Sequence, residues 1–287
     1  MNSQEKPCVP LNSTTICLIA MLGLASAGAL GAVDEIVLSA APRASVAESQ
    51  EIYEPLARYL SQATGKKVVY RNPRNWLTYQ MEMRDGTYDL VFDGPAFVGW
   101  RTENLGHVPI VKLPGKLEIA VFARADNGKV RTLKDLVGRT LCGFAPPNLA
   151  TLVVQFEFDN PVRQPMLVEV KGFRTAYDRV VDGKCAGGIL QTKLLDEFDR
   201  DAKLMKVLFR SKPMPNQGFS AGPRIDAATR ERIAAALLSE EGKRATEPMR
   251  TGIKGKEFEP AKAEDYKGLG VILSTSWGFD SASPKRR

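Results

Sequence analysis

The stretch Met83-Arg-Asp-Gly-Thr-Tyr-Asp-Leu-Val-Phe-Asp-Gly-Pro95 decides the fold class of this chain. It begins at the end of an amphipathic helix that Gly86 stops. Asp89–Phe92 is short and apolar, which is typical of a strand buried in a parallel sheet. Gly94 and Pro95 then start another helix, because proline fits the first helical turn. A helix, a buried strand and a second helix in direct succession indicate an α/β protein.

The same alternation continues on both sides of this stretch. Ile36–Ala40 and Lys67–Tyr70 are expected to be strands that flank a helix ending at Gly65. Later strands are expected at Leu117–Arg124, Thr140–Phe144, Leu167–Val170, Cys185–Leu190 and Lys206–Phe209, with amphipathic helices between most of them. The pattern predicts mainly parallel sheets with helices on both faces.

Composition and charge exclude several classes of protein. The chain has 287 residues, of which 44% are hydrophobic and 25% charged, so the bulk of it is globular. The formal net charge is +7, but no stretch combines dense Lys and Arg with aromatic residues, so no nucleic-acid partner is expected. His107 is the one histidine and the four cysteines are widely spaced, so neither a metal site nor a cofactor is predicted. His107 itself is expected to be structural.

Residues 1–32 are predicted to be an export signal. An apolar run from Ile16 to Val33 dilutes into Ala, Gly and Ser, with small residues suited to cleavage after Ala27, Ala29 or Ala32. The alternative is an uncleaved membrane anchor, because the run approaches the roughly 17–20 residues that span a bilayer. Either way, the rest of the chain is expected in an oxidising compartment.

The cysteine count supports a single disulfide bond. Cys8 and Cys17 leave with the signal, so Cys142 and Cys185 remain. Both lie in segments that are expected to be strands, and neighbouring strands would bring them within bonding distance. We predict a Cys142–Cys185 disulfide; two buried free thiols are the alternative.

Two strand-to-helix junctions are candidate ligand sites, because ligands of open α/β sheets bind beyond the carboxyl ends of the strands. At the first junction, Asp93 is expected to point towards the cleft, Gly94 allows close approach to the backbone, and Pro95 fixes the first turn. The alternative for Asp93 is a helix cap.

The second junction is a helix start at Asn148. The N–H groups of Leu149, Ala150 and Thr151, together with the threonine hydroxyl, could receive an anion. The alternative for this segment is capping alone.

Further candidates lie around the two junctions. Arg43 follows the first strand, and Asn216 and Gln217 follow the last strand of the second unit. Trp76 and Tyr79 are expected either to wall the cleft or to belong to the core. Arginine suits phosphate or phosphonate oxygens because its planar guanidinium binds them with two parallel hydrogen bonds. The alternative for Arg43 is a solvated surface arginine.

These strings, in this order, resemble a known family. The residues that carry the resemblance are Met83–Pro95, then Leu117–Arg124 followed by Thr132–Gly138, and then Ser211-Lys-Pro-Met-Pro-Asn216. Over roughly residues 34–280 the chain is similar to the phosphate/phosphite/phosphonate-binding proteins of ABC importers, a type II periplasmic binding-protein family.

The resemblance implies an architecture and a function. It implies two α/β lobes with a ligand cleft between them: lobe one from residues 33–124 and 213–280, and lobe two from residues 125–212. The crossings between lobes are expected near residues 122–127 and 210–217, and residues 281–287 are expected to be a disordered tail. The protein would be a monomeric, non-catalytic receptor in the periplasm that binds one small solute by lobe closure and delivers it to an inner-membrane ABC permease.

Three departures from the family concern the ligand. Asn148-Leu149-Ala150-Thr151 stands where the family has a hydroxyl-rich Ser-Thr-Ser-Gly turn, Asp93 replaces an apolar residue, and Cys185 replaces a frequent acidic one. A carboxylate at Asp93 would repel a simple anion and attract a cationic group. A zwitterion is therefore an alternative to a phosphonate-like anion.

Two other functions remain open from the sequence. The same fold could serve as a sensory module that signals to a membrane partner. It could also resemble thiamine-pyrimidine synthases, but these enzymes depend on a catalytic histidine and a cofactor-binding lysine. His107 lies outside the expected cleft.

Overall fold

The computed structural model describes residues 35–158, 160, 162–253 and 255–275. These residues fall in one compact unit, Ala32–Arg287. The predicted signal and the predicted tail lie outside the described residues. Within the described ranges, no helix has both the length and the hydrophobicity needed to cross a membrane.

Strands and helices alternate along most of the described chain. The strands are β1 (Glu35–Ala40), β2 (Lys67–Tyr70), β3 (Leu90–Asp93), β4 (Val108–Lys112), β5 (Lys116–Leu117), β6 (Ile119–Arg124), β7 (Thr140–Gly143), β8 (Met166–Glu169), β9 (Gly187–Gln191), β10 (Met205–Arg210), β11 (Met214–Pro215), β12 (Gly218–Ala221) and β13 (Glu259–Pro260). The α-helices are α1 (Val46–Thr64), α2 (Trp76–Arg84), α3 (Pro95–Leu105), α4 (Leu149–Phe156), α5 (Phe173–Val181), α6 (Thr192–Phe198), α7 (Ala227–Leu238), α8 (Glu240–Gly252) and α9 (Ala263–Tyr266). Two 3-10 helices, Leu133–Leu136 and Leu269–Thr275, complete the set for these residues.

The strands form two large sheets, one for each lobe. Strand order in the first is β13-β4-β12-β3-β1-β2, and in the second it is β10-β6-β9-β7-β8. The predicted two-lobed α/β class is confirmed, but both sheets are mixed rather than mainly parallel. In the first sheet β12 runs antiparallel to β3 and β4, and in the second β6 runs antiparallel to β9 and β10.

The antiparallel strands result from how the chain passes between the sheets. Gly218, the first residue of β12, pairs with Asp93 and Lys112, the last residues of β3 and β4. Ile119, the first residue of β6, pairs with Gln191, the last residue of β9. Each crossing therefore enters its new sheet at the edge where the parallel strands end, so the entering strand must run in the opposite direction.

Sheet membership also corrects the expected position of the first crossing. Strand β6 belongs to the second sheet, so the chain leaves the first sheet after Lys112 and not near residues 122–127. The return lies between Arg210 and Gly218, close to the expected segment. The two crossings pair with each other through β5 and β11, where Met214 lies opposite Leu117.

Both faces of each sheet are buried. In β1, Ile36 and Leu38 pack in an apolar core with α1 and α7, whereas Val37 packs on the other side. In β6, Phe122 packs towards α5, whereas Val121 joins the core that contains α4. This alternation follows from the two-residue period of a strand, and it explains why the strands are nearly continuous apolar runs.

Helix α1 begins at a reciprocal cap. Ser45 caps it, accepting from the Glu48 N–H, and the Glu48 carboxylate accepts from the Ser45 N–H at 2.9 Å. Pro55 lies inside the helix. The reciprocal Ser-x-x-Glu pattern is a known helix-start signal.

The C-terminal 3-10 helix Leu269–Thr275 crosses α3 at a pair of glycines. A Cβ atom on Gly99 would lie 2.7 Å from the Tyr266 carbonyl oxygen, and one on Gly270 would lie 2.8 Å from the Trp100 Cα. The close approach therefore requires glycine at both positions. The same 3-10 helix packs against α4, and its Leu273 is fully buried.

The predicted disulfide is confirmed. Cys142 in β7 bonds Cys185, with Cα atoms 5.9 Å apart, and both residues are buried. Cys185 lies just before β9, so that strand begins two residues later than expected. The bond closes a loop that contains α4, β8 and α5, the elements between its two ends.

We expect the Cys142→Ala, Cys185→Ala double variant to lose about 2–4 kcal/mol of unfolding free energy, because the bond restricts the unfolded chain. Urea unfolding followed by circular dichroism measures this loss. Reductant should destabilise the wild type by a similar amount and leave the double variant unchanged. Two alkylatable thiols in unreduced protein would contradict the prediction.

Candidate functional site

The carboxyl edges of the two sheets face each other. The crossing segments, residues 113–118 and 211–217, join strand ends on these two edges and are too short to reach other faces. The candidate residues of both predicted junctions follow strands that end there. The topology therefore creates a cleft at the position expected for a ligand.

Asp93 lies at the end of β3 in a fully buried polar cluster. Arg101 of α3 donates from Nε to the Asp93 Oδ2 at 2.9 Å, and the Tyr79 hydroxyl of α2 donates to Oδ1. Arg101 Nη2 also donates to the Tyr79 oxygen at 3.1 Å. All three side chains are 0% exposed.

The electrostatics of this cluster keep Arg101 charged and Tyr79 protonated. Burial and the Asp93 charge raise the pKa of Tyr79 well above its usual value. Burial opposes the charge on Arg101, but Tyr79 and Asp93 outweigh it and raise the pKa of Arg101. The negative charge of Asp93 is thus neutralised within the protein.

The expectation of a free carboxylate at Asp93 is therefore wrong. The alternative, a helix cap, is also wrong, since Gly94 is the N-cap of α3 and no side chain caps that helix. Both interpretations overlooked Arg101, which reaches Asp93 from the buried side of α3. Tyr79 belongs to the core, which is one of the two alternatives left open for it.

Trp76 packs against the aromatic residue of this cluster, Tyr79. It is half-buried, its ring stacks on Phe97 with centroids 6.2 Å apart, and it meets Tyr79 edge-on at 6.0 Å. A role for Trp76 as a wall of the cleft stays a prediction.

Arg43 and Gly94 lie side by side. Arg43 is exposed, and its Nη2 is 3.7 Å from the position of a Cβ on Gly94. Pro95 is buried at the start of α3, and the first turn of this helix contains no acidic residue. No ion pair of Arg43 is found among the described residues. The Arg43 guanidinium therefore lies beside the positive end of the α3 dipole. Among the described residues, no carboxylate is bonded to either of them.

The second junction is a capped helix start. Asn148 Oδ1 accepts from the Ala150 N–H at 3.0 Å, and the Leu152 N–H bonds the Asn148 carbonyl. Within the described part of the chain, the Leu149 and Thr151 N–H groups have no partner. Two of the three expected N–H donors are therefore without a partner among the described residues.

The hydroxyl of Thr151 is not available at this junction. Thr151 is 1% exposed, and its Oγ1 donates to the Phe144 carbonyl at 2.5 Å. The expectation that this hydroxyl faces a ligand is wrong, because it anchors the turn between β7 and α4.

Asn216 and Gln217 hold the crossings together. Asn216 Nδ2 donates to the Pro114 carbonyl at 3.2 Å, and the Gln217 carbonyl accepts from the Leu113 N–H at 2.8 Å. The hydrogen bond of Asn216 gives this residue a structural role. The Gln217 Oε1 is buried without a partner among the described residues, so a ligand contact by Gln217 stays a prediction.

His107 is structural, as expected. It is buried with Nδ1 3.1 Å from the Ser220 hydroxyl, and burial together with the charge of Arg101 lowers its pKa to about 3.

A separate surface cavity of about 420 Å³ lies between α1, α7 and α8, and none of the candidate residues lines it.

Two features of this region were not expected from the sequence. Arg101 lies four residues after Phe97, and this helical spacing could have placed it on the buried face of α3. Phe144 and Phe173 form an aromatic pair after β7 and β8, with ring centroids 4.9 Å apart. Neither Phe144 nor Phe173 belongs to a periodic apolar pattern in the sequence, so no local signal marked either phenylalanine as a candidate.

Comparison with known proteins identifies the family. Residues 38–266 match the model of the phosphonate periplasmic substrate-binding proteins of ABC transporters. The chain belongs to this family. It is therefore a periplasmic substrate-binding protein of a phosphonate-type ABC transporter, and not an enzyme.

Individual relatives are distant. The phosphate-import protein PhnD of Mycolicibacterium smegmatis is 22% identical, with 93% of this chain and 92% of the relative covered. A Xanthomonas citri protein in complex with ATP shares the fold with a TM-score of 0.64 at 14% identity, covering 85% of this chain and 98% of that one. PhnD1 of Prochlorococcus marinus in complex with methylphosphonate gives 0.55 at 12% identity, with 84% and 98% covered. These structures share the two-lobed fold of the family.

We expect Asp93→Asn to lower the unfolding free energy by about 3–5 kcal/mol, because it leaves the Arg101 charge buried without a counter-charge. Urea unfolding at neutral pH measures this loss. The matched control is Asp178→Asn, which breaks an exposed pair with Arg174 at 2.8 Å and should cost less than about 1 kcal/mol. Equal losses in the two variants would contradict the role of Asp93.

Proposed function

We propose that the protein captures a small phosphate, phosphite or phosphonate-type anion between its lobes and delivers it to an inner-membrane ABC permease. The observation that carries this proposal is Arg43 beside the start of α3, where positive charge adjoins N–H groups at a buried glycine. The Mycolicibacterium smegmatis relative, a phosphate importer, supports a phosphorus oxyanion.

Electrostatics favour an anion over a zwitterion. The case for a cationic group on the ligand rested on a free carboxylate at Asp93, and Arg101 neutralises that carboxylate. On the other lobe, α4 also starts without an acidic residue in its first turn. Helix dipoles from both lobes then add to the charge of Arg43.

We expect Arg43→Gln to weaken methylphosphonate and phosphate binding roughly 10- to 100-fold, the effect of one charge-assisted hydrogen bond. Isothermal titration calorimetry measures both affinities. Arg58→Gln is the control, since Arg58 is an exposed arginine of α1 paired with Glu54 at 3.9 Å, and it should bind like the wild type.

Two results would overturn parts of this proposal. If phosphate, phosphite and methylphosphonate all failed to bind the wild type, the ligand class would be wrong. If Arg43→Gln bound them as tightly as Arg58→Gln, the ligand class would stand and Arg43 would not be part of the site.

Binding should also close the lobes. We expect the radius of gyration from small-angle scattering to fall when methylphosphonate saturates the wild type, because ligands of hinged receptors stabilise the closed state. Sodium chloride at the same ionic strength is the control. An unchanged radius at confirmed saturation would contradict lobe closure.

A further inference from the structure

The carboxyl edge of the second sheet carries an exposed aromatic pair. Phe144 directly follows β7, and Phe173 begins α5 after β8. The two strands are parallel neighbours, with Gly143 opposite Glu169, so their ends lie together. The Phe173 residue is 43% exposed and Phe144 is half-buried. Neither ring packs into the three apolar cores of the described residues.

The first turn of α4 fixes this pair and faces the other lobe. Thr151 donates its hydroxyl to the Phe144 carbonyl, which anchors the backbone under the ring. Leu149 and Ala150 of the same turn share one apolar cluster with Trp76 and Phe97 of the first lobe. Phe144 and Phe173 themselves follow β7 and β8 at the carboxyl edge of the second sheet, which is the edge that faces the first lobe, so the pair borders the cleft.

Basic residues accompany the rings at this edge. Lys171 and Lys193 follow β8 and β9, both are exposed, and no salt bridge of either is found in the described ranges. Glu118 at the same edge is paired with Arg210 at 3.0 Å. Glu169 is the exposed carboxylate that remains, so positive charge exceeds negative charge here.

We propose that the solute is an organophosphorus anion with a planar aromatic group, which packs against Phe144 and Phe173 while Arg43 and the helix starts hold the anionic end. The inference rests on the proposed function and adds the class of substituent. Aromatic rings stack favourably on one another, and a planar group would cover ring surface that water now contacts. An aminoalkyl group at this edge would carry charge of the same sign as Lys171 and Lys193.

The test compares two phosphonates with the same head group. We expect the wild type to bind phenylphosphonate about tenfold more tightly than methylphosphonate in calorimetric titrations. Phe173→Ala and Phe144→Ala should each remove most of this preference, measured as the ratio of the phenylphosphonate and methylphosphonate affinities of the same variant. Phe156→Ala is the control, because Phe156 is a similarly exposed phenylalanine, 39% exposed, at the far end of α4, and it should keep the preference.

The outcomes separate this inference from the proposed function. Equal affinities of the wild type for both phosphonates would overturn the inference and leave the proposed function standing. Failure of both phosphonates to bind would overturn this inference, and the proposed function would fall with it only if phosphate and phosphite also failed to bind. Phe173→Leu keeps an apolar side chain in case Phe173→Ala fails to fold. If that variant kept the full preference, packing against the Phe173 ring would be excluded.

Discussion

Asp93 of β3 and Arg101 of α3 form a buried ion pair that ties the strand to the helix. The first lobe's side of the cleft depends on this pair, because it positions the start of α3. Removing two such charges from water costs several kcal/mol for each, and neighbouring groups offset part of this cost. Arg101 Nη1 is buried without a partner among the described residues. Tyr79 donates to the carboxylate, and the Arg101 guanidinium lies 5.6 Å and 5.7 Å from the ring centroids of Tyr79 and Tyr88. These contacts fix α2 and α3 against β3. The junction at Gly94, and the approach of Arg43 to it, follow from that arrangement.

Reasoning from sequence succeeds where the signal is local, and it fails where a residue on another element decides the outcome. Lys67–Tyr70 was predicted with its observed bounds, because an apolar run between a glycine stop and a polar segment is a local signal. The partner of Asp93 is eight residues away on a helix, and no local pattern states which face of that helix meets the strand. The strand β6 likewise has the composition of its neighbours, and only the path of the crossing makes it antiparallel.

The side chains of Asn148 and Thr151 at the second junction show a further limit of prediction from sequence. Asn148 caps α4 as its position predicted, since that bond is made within three residues. Thr151 lies in the same turn, yet its hydroxyl direction depends on the path of β7 into Phe144, which is a property of the whole lobe. Packing outside a motif therefore determines which of its atoms are available to a ligand.

The contact of the C-terminal 3-10 helix with both α3 and α4 has a mechanical consequence. Two crossing strands that pair with each other would form one narrow hinge in the lobe closure proposed above, and such a hinge resists neither twisting nor bending strongly. A third contact away from that axis resists twisting and leaves bending as the softer motion. The two halves of the cleft would then keep their alignment throughout the movement, so that a ligand held by one lobe meets the same groups of the other at every closure.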